Sequence, residues 1–248
     1  MDADYSLQYK KYHNASDAHY SRIAQYLSRL LAPVLHKLPM DASIMDVGCG
    51  TGLLVNALQS AGYRSVRGVD ISPQQIMEAQ RRKLPCEVVS LSYVQDLART
   101  APGSLDAIFL MDVLEHLEVG GQIDFLRATR QLLKPDGCLV LTVPNANSNF
   151  AMRWRYGDWT HTASFTEDSL EFVLRNAGYT SLTFYPYEFG GKATFPYFHS
   201  VSFWVPVVRS VFRLVRRIEA MAELGRAGLS IPLSLNLLVE ARVGDEIV

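Results

Sequence analysis

Three groups of residues in this sequence have types and spacings that chemistry can use. The first is Ile44-Met45-Asp46-Val47-Gly48-Cys49-Gly50-Thr51-Gly52, an apolar run holding one carboxylate and then three alternating glycines. Backbone that must turn tightly and let a ligand approach needs glycine, because a Cβ would block both. The second is Asp70, at the end of Val66-Arg67-Gly68-Val69-Asp70-Ile71-Ser72 and 22 residues after Gly48. A carboxylate at the tip of a second strand can accept hydrogen bonds from both hydroxyls of a ribose. The third is Asp112-Val113-Leu114-Glu115-His116, followed at a distance by His161 in a loop dense with aromatic and charged groups. Two carboxylates and an imidazole at i, i+3 and i+4 would share one helical face and could ligate a divalent ion. An imidazole with an ordinary pKa near ~6.5 can take a proton at neutral pH.

The elements that must position these groups follow from periodicity. Strand, glycine turn and a helix carrying Leu53, Leu54, Ala57, Leu58 and Ala61 open a nucleotide-binding α/β unit. The Gly-x-Gly-x-Gly spacing is tighter than the dinucleotide pattern G-x-G-x-x-G, which counts against a pyrophosphate ligand. A helix from Ser72-Pro73 to about Arg82 leads to a third strand over 86–90. A fourth strand, 105–111, is almost wholly apolar, as a strand covered on both faces should be. A helix over 119–134, a turn at Lys134-Pro135-Asp136-Gly137 and a fifth strand over 138–143 follow. Residues 145–165 read as a long loop, then a helix capped by Thr166, a sixth strand over 180–187 and a last strand over 234–243. Ahead of all this, Ile23, Ala24, Leu27, Leu30, Leu31 and Val34 give a helix stopped by Pro39. Between the last two strands, 204–221 places Arg209, Arg213, Arg216 and Arg217 opposite Val208, Val211, Phe212, Val215 and Ile218. Such a helix can pack on the sheet, meet a second subunit or lie on an anionic membrane.

The glycine turn with Asp46 and Asp70, in this order and spacing, resembles motif I and the next acidic position of class I S-adenosylmethionine (SAM)-dependent methyltransferases. The resemblance covers about residues 40–185. It implies a doubly wound, Rossmann-like, seven-stranded α/β sheet with an antiparallel last strand. Residues 1–39 become an N-terminal helical lid, 40–248 the SAM-binding domain, and 188–233 a helical insertion. It implies SAM as cofactor, held at the methionyl end by Asp46, Gly48, Cys49 and Gly50. Asp70 and Ile71 would serve the ribose and adenine, with Leu91, Ser92 and Met111 completing the pocket. No acid stands directly after the third strand, where the family often has one, so Leu91 and Ser92 are positional assignments. Tyr12, His13, Tyr20 or Arg22 could close over the cofactor, or the first helix could simply pack on the sheet edge.

Asp112-Val113-Leu114-Glu115-His116 is similar to a segment of small-molecule methyltransferases, the ubiquinone-biosynthesis O-methyltransferases among them. Several of those bind a divalent metal there, which makes Asp112, Glu115 and His116 the alternative to a metal-free site with a structural histidine. The Thr160-His161…Phe165-Thr166 pattern resembles methyltransferases of polysaccharide and lipid-linked glycan biosynthesis. Its place in the loop ahead of the capped helix makes His161 the candidate catalytic base, or else a histidine that only ties the loop to that helix. Arg153, Arg155 and Asp158 are the candidate contacts to a polar or phosphorylated substrate.

Composition narrows the partners. With 24 Lys and Arg against 25 Asp and Glu the net charge is -1, unlike a general nucleic-acid binder. No Asn/Asp-Pro-Pro-Tyr/Phe motif follows the fourth strand, which disfavours amino methylation of bases. Three cysteines without a C-x-x-C pair point away from zinc and disulfides and toward a reducing, cytoplasmic setting. No run of ~18 apolar residues is present, so a transmembrane span is not expected. The expected partner is a small hydroxylated molecule, a sugar or glycan intermediate among the candidates. Peripheral membrane contact through 204–221 and a homodimer stay open, as do other acceptor atoms and a non-catalytic SAM binder.

Overall fold

A computed structural model of the chain describes residues 16–187 and 201–243. Tyr12, His13, the first part of the expected insertion (188–200) and the side chain of Arg209 lie outside the described residues. Seven strands form one sheet: β1 Ser43–Val47, β2 Ser65–Asp70, β3 Cys86–Val88, β4 Leu105–Met111, β5 Leu133–Pro144, β6 Ser181–Tyr185 and β7 Asn236–Arg242. Their order is β3-β2-β1-β4-β5-β7-β6. β1 to β5 run parallel, and β7 lies antiparallel between β5 and β6. The sheet is the doubly wound, Rossmann-like one expected, with the antiparallel last strand in the expected slot.

Helices cover both faces: α1 Asp17–Leu30, α2 Ala32–Leu35, α3 Leu53–Ser60, α4 Pro73–Arg81, α5 Tyr93–Thr100, α6 Val119–Leu132, α7 Ala151–Gly157, α8 Glu167–Asn176 and α9 Val201–Leu224. The central strand shows why two layers form. Ile108 and Leu110 join one apolar cluster, with Leu139, Leu141 and Leu126, while Ala107 and Phe109 join the other, with Ile44 and Leu58. Side chains alternate across a strand, so an unbroken apolar run needs helices on both sides. Strand order reverses between β1 and β4, and the crevice at the carboxyl ends beside that switch is where such sheets bind ligands.

Several boundaries differ from the sequence reading, each for a local reason. The first helix breaks at Leu31 and restarts as α2, because Pro33 has no N–H to continue the ladder. The expected turn at 134–137 is instead a bulge inside β5, with Leu133 opposite Leu105 but Cys138 opposite Ala107. The edge strand β3 stops at Val88. The expected loop 145–165 contains α7, which buries no residue and so has no core-facing pattern to read. The Thr166 cap is as expected: its side chain accepts from Ser169 N at 3.2 Å.

Both ends of the β6–β7 connection are fastened. At its start Tyr185 Oη donates to Glu240 Oε2 at 2.5 Å and accepts from Lys37 Nζ at 2.9 Å. At its end Asn145 Nδ2 donates to the carbonyls of Pro232 (2.9 Å) and Ser234 (2.8 Å).

Candidate functional site

The glycine turn follows β1 as its residue types demand. Gly48 and Gly50 have φ of +75° and +54°, the left-handed region that glycine enters freely. A Cβ on Gly48 would lie 2.5 Å from Val113 Cγ2, and one on Gly50 would lie 2.6 Å from Gln75 Oε1. The turn is therefore closed in from two sides, and buried Gln75 is a site neighbour that periodicity alone did not flag. Tyr20 of α1 is buried and donates to the Thr51 carbonyl at 2.8 Å. Arg82 stacks 3.8 Å above its ring and pairs with Asp17 at 2.7 Å, so α1 is moored across the turn.

Asp70 holds the tip of β2 to this turn. Its Oδ2 accepts from Gly50 N and its Oδ1 from Ser72 N, each at 2.8 Å. A carboxylate has about four lone-pair sites, so each oxygen keeps one for a ribose hydroxyl. Beside it, Ile71 (48 % exposed) and Leu91 (72 %) leave apolar surface uncovered at the strand tips, as an adenine ring would require. Ser92 is turned away, donating to Asp96 Oδ2 at 2.8 Å. Cys49 is buried against Cys86, and that thiol together with burial pushes its own pKa far up. Its thiol is inert. Met111 packs into the core cluster under the crevice.

Asp46 is the most telling group. It is 2 % exposed, and its Oδ1 has no hydrogen-bond partner among the described residues. Burial, and then the negative charge of Asp70, push its pKa up to about 8. A buried carboxylate lacking a partner fits a cationic amine, and the methionyl end of SAM carries one. The sign of the pH effect follows. An incoming ammonium favours the ionised carboxylate, so binding should release a proton below about pH 8. Cofactor affinity is expected to rise between about pH 6 and 7.5 by up to ~10-fold per pH unit, and to stay flat in Asp46→Asn. Calorimetry across that range checks it; equal slopes in both proteins would remove Asp46 from the site.

The third group regroups on folding. Asp112 has φ +56° and does not share a helical face with Glu115 and His116. Its Oδ1 accepts from Thr142 Oγ1 (2.9 Å) and Asn236 Nδ2 (2.8 Å), tying β4, β5 and β7 together. Glu115 and His116 lie in a short 3-10 turn, Leu114–His116, and the third partner is His161. One ligand atom from each of Glu115, His116 and His161 lies within 4.8 Å of the others. Glu115 is fully buried, and neither carboxylate oxygen has a hydrogen-bond partner among the described residues. Burial, then Asp112, hold its pKa well above the usual carboxylate range. Burial, then His161, pull His116 down to about 4.

The hydrogen bonds fix both tautomers. His161 Nδ1 lies 2.9 Å from the Trp154 carbonyl, which can only accept, so Nδ1 carries the proton. His116 Nδ1 lies 2.7 Å from Thr160 Oγ1, whose own proton goes to Asp158 Oδ1 at 2.6 Å. Each ring thus presents a bare Nε2, and the rings meet edge to face at 4.6 Å. Asp158 Oδ2 stands 3.9 Å from His161 Nε2. Arg155 donates to the carbonyls of His161 and Thr162, and Thr162 N donates to the Glu115 carbonyl at 2.7 Å. Asp158 and Arg155, the candidate substrate contacts, both make hydrogen bonds that shape the His161 loop.

Arg153 lies elsewhere, on a chamber of about 720 Å³ between α7 and α9. Its other walls include Asn147, Phe150, Trp154, Tyr187, Trp204 and Phe212. Trp154 joins the two features, its side chain lining the chamber and its carbonyl holding His161.

A family profile described as a methyltransferase domain matches residues 17–183, about two thirds of the chain. The chain belongs to the methyltransferase domain family. The ubiquinone biosynthesis O-methyltransferase of Xanthomonas campestris pv. campestris is 38% identical over 107 residues, 42% of this chain and 44% of that protein. Its counterpart in Neisseria meningitidis is 32% identical over 108 residues, with the same coverage. The match thus spans less than half the length of these relatives. Among solved structures, a SAM-dependent methyltransferase from Archaeoglobus fulgidus superposes with a TM-score of 0.63 at 18% identity, covering 96% of this chain and 99% of that one. One from Mesorhizobium loti gives 0.52 at 16%, covering 86% and 97%. This methyltransferase domain therefore has the fold of SAM-dependent methyltransferases.

Proposed function

We propose that the protein is a SAM-dependent methyltransferase that methylates a hydroxyl of a small molecule, with His161 as general base. The observation that carries this reading is the His161 ring, buried, with Nδ1–H committed to Trp154 and Nε2 bare. Bound SAM supplies a methyl group on a sulfonium, already a strong electrophile. The protein must then align the acceptor, exclude water and accept one proton. Alignment can supply ~7–11 kcal/mol, whereas a general base adds ~10²–10⁴-fold. In this assignment Asp46, Gly48, Cys49 and Gly50 hold the methionyl end and Asp70 the ribose hydroxyls. Ile71, Leu91, Met111 and the backbone of Ser92 border the adenine, and α1 is the lid. The acceptor hydroxyl gives its proton to His161 Nε2, and the carboxylate of Asp158 stabilises the resulting imidazolium.

The chamber supports a class of acceptor. Tryptophan and phenylalanine walls suit a ring or an apolar body, and Arg153 suits an anionic group, as in a phosphorylated sugar or a lipid-linked glycan intermediate. The names of the ubiquinone-biosynthesis relatives favour oxygen as the methylated atom.

One observation favours a second reading. The unpartnered Glu115 carboxylate with two bare imidazole nitrogens is a donor set for a divalent ion, and His161 would then be a ligand rather than a base. Transfer of radiolabelled methyl to hydroxylated metabolites, nucleotide sugars and lipid-linked glycans, in excess EDTA and again with magnesium, tests both. The first reading expects an O-methylated product in EDTA. Turnover that needs magnesium would replace it with the second, and SAM binding without turnover on any acceptor would reject both.

A further inference from the structure

The helix α9 packs on the 3-10 turn that follows it, Gly225–Leu229, and leaves much of its apolar surface exposed. Two of its arginines are committed to backbone carbonyls: Arg216 Nη2 donates to the Asn147 carbonyl at 3.2 Å, and Arg217 Nη1 to the Gly228 carbonyl, in the turn just past the helix, at 2.6 Å. At 100° per residue, Val207, Val211, Leu214, Ile218 and Met221 then form one stripe on the opposite side. Val211, Leu214 and Ile218 are 54 %, 60 % and 59 % exposed. A helix built to face water does the reverse, burying its apolar stripe and showing its charges. The outer face of α9 therefore matches an apolar medium.

Two features decide which medium. Residues 201–229 hold five arginines (209, 213, 216, 217, 226) against two glutamates (219, 223), in a chain whose net charge is -1. A two-fold pairing of this face with a second copy would bring like-charged segments together, whereas an anionic headgroup layer attracts them. Exposed aromatic residues also line the chamber beside the helix, with Phe150 56 %, Trp154 41 % and Trp204 53 % exposed. Rings with a polar edge favour the boundary between lipid and water. No helix among the described residues is long and apolar enough to cross a membrane, and Arg213, Arg216 and Arg217 sit mid-helix, so α9 would lie along the surface.

We propose that the outward stripe of α9 docks this protein on an anionic lipid surface, with the chamber between α7 and α9 opening beside the lipid. The docking stands whether or not the methyl-transfer reading does. The test is flotation of the whole protein with vesicles of phosphatidylglycerol and phosphatidylcholine, against vesicles of phosphatidylcholine alone. The double variant Val211→Glu/Ile218→Glu changes the stripe and leaves the chamber walls as they are. Wild type should float with the anionic vesicles and lose binding as salt rises. The variant should partition on the order of tenfold more weakly, with unchanged thermal midpoint and SAM affinity. Absence of wild-type flotation, or equal flotation of the variant, overturns the proposal. So does sedimentation showing a dimer that the double variant dissociates, because the stripe would then belong to a second copy.

Discussion

His161→Ala is expected to lower methyl-transfer turnover by ~10²–10⁴-fold while SAM affinity stays nearly unchanged, because a general base acts at the transition state. In the proposed site the ring faces the acceptor, with its Nδ1 held by the Trp154 carbonyl at 2.9 Å. His161→Gln separates a base from a positioning residue. Gln can donate to the same carbonyl but cannot take a proton at neutral pH, so it should be nearly as slow as Ala. Steady-state kinetics on both variants, with calorimetry for SAM, decides the matter. A Gln variant that turns over like wild type would show that alignment carries the catalysis and that His161 only anchors its loop.

The second large effect belongs to Asp70. In the proposed assignment, removing its carboxylate would deprive the cofactor of an acceptor for two ribose hydroxyls, each such bond worth ~1.5–3 kcal/mol before water or relaxation compensates. Asp70→Ala should bind SAM at least ~10-fold more weakly with the fold retained. The amides of Gly50 and Ser72 also lose their acceptor, so Asp70→Asn, which keeps one oxygen, is the control for a loosened turn. The charge of Asp70 also helps raise the pKa of Asp46. Either variant should therefore move the pH dependence of binding to lower pH. Unchanged SAM affinity in Asp70→Ala would sink the assignment of this turn to the cofactor.

Much of this was legible in the chain because it is local. The glycine turn, Asp46 and Asp70 lie within 25 consecutive positions, and alternating burial with helical periods gives the strands and helices around them. The seventh strand's antiparallel slot came by resemblance and agrees with the observed order. What stayed hidden depends on contacts between distant residues. Glu115 and His161 stand 46 positions apart and meet because Thr162 bonds to the Glu115 carbonyl, a contact no periodicity encodes. Arg155 is a substrate candidate by its residue type, whereas its hydrogen bonds to two carbonyls of the His161 loop depend on the fold. The outward setting of the apolar stripe on α9 was hidden for a related reason. An amphipathic wheel shows two faces without saying which one looks inward.

The fastenings at Tyr185 and Asn145 have a consequence for how such a protein can diversify. Hydrogen bonds fasten the intervening chain where it leaves β6, through Tyr185 to Glu240 of β7, and where it returns toward β7, through Asn145 at the end of β5. Strand pairing of β7 with β5 and β6 is completed within those points and asks nothing of the segment between them. That segment can be lengthened, shortened or exchanged like a cassette, and the cost falls on the chamber and the docking face, while the nucleotide end of the molecule is left as it was.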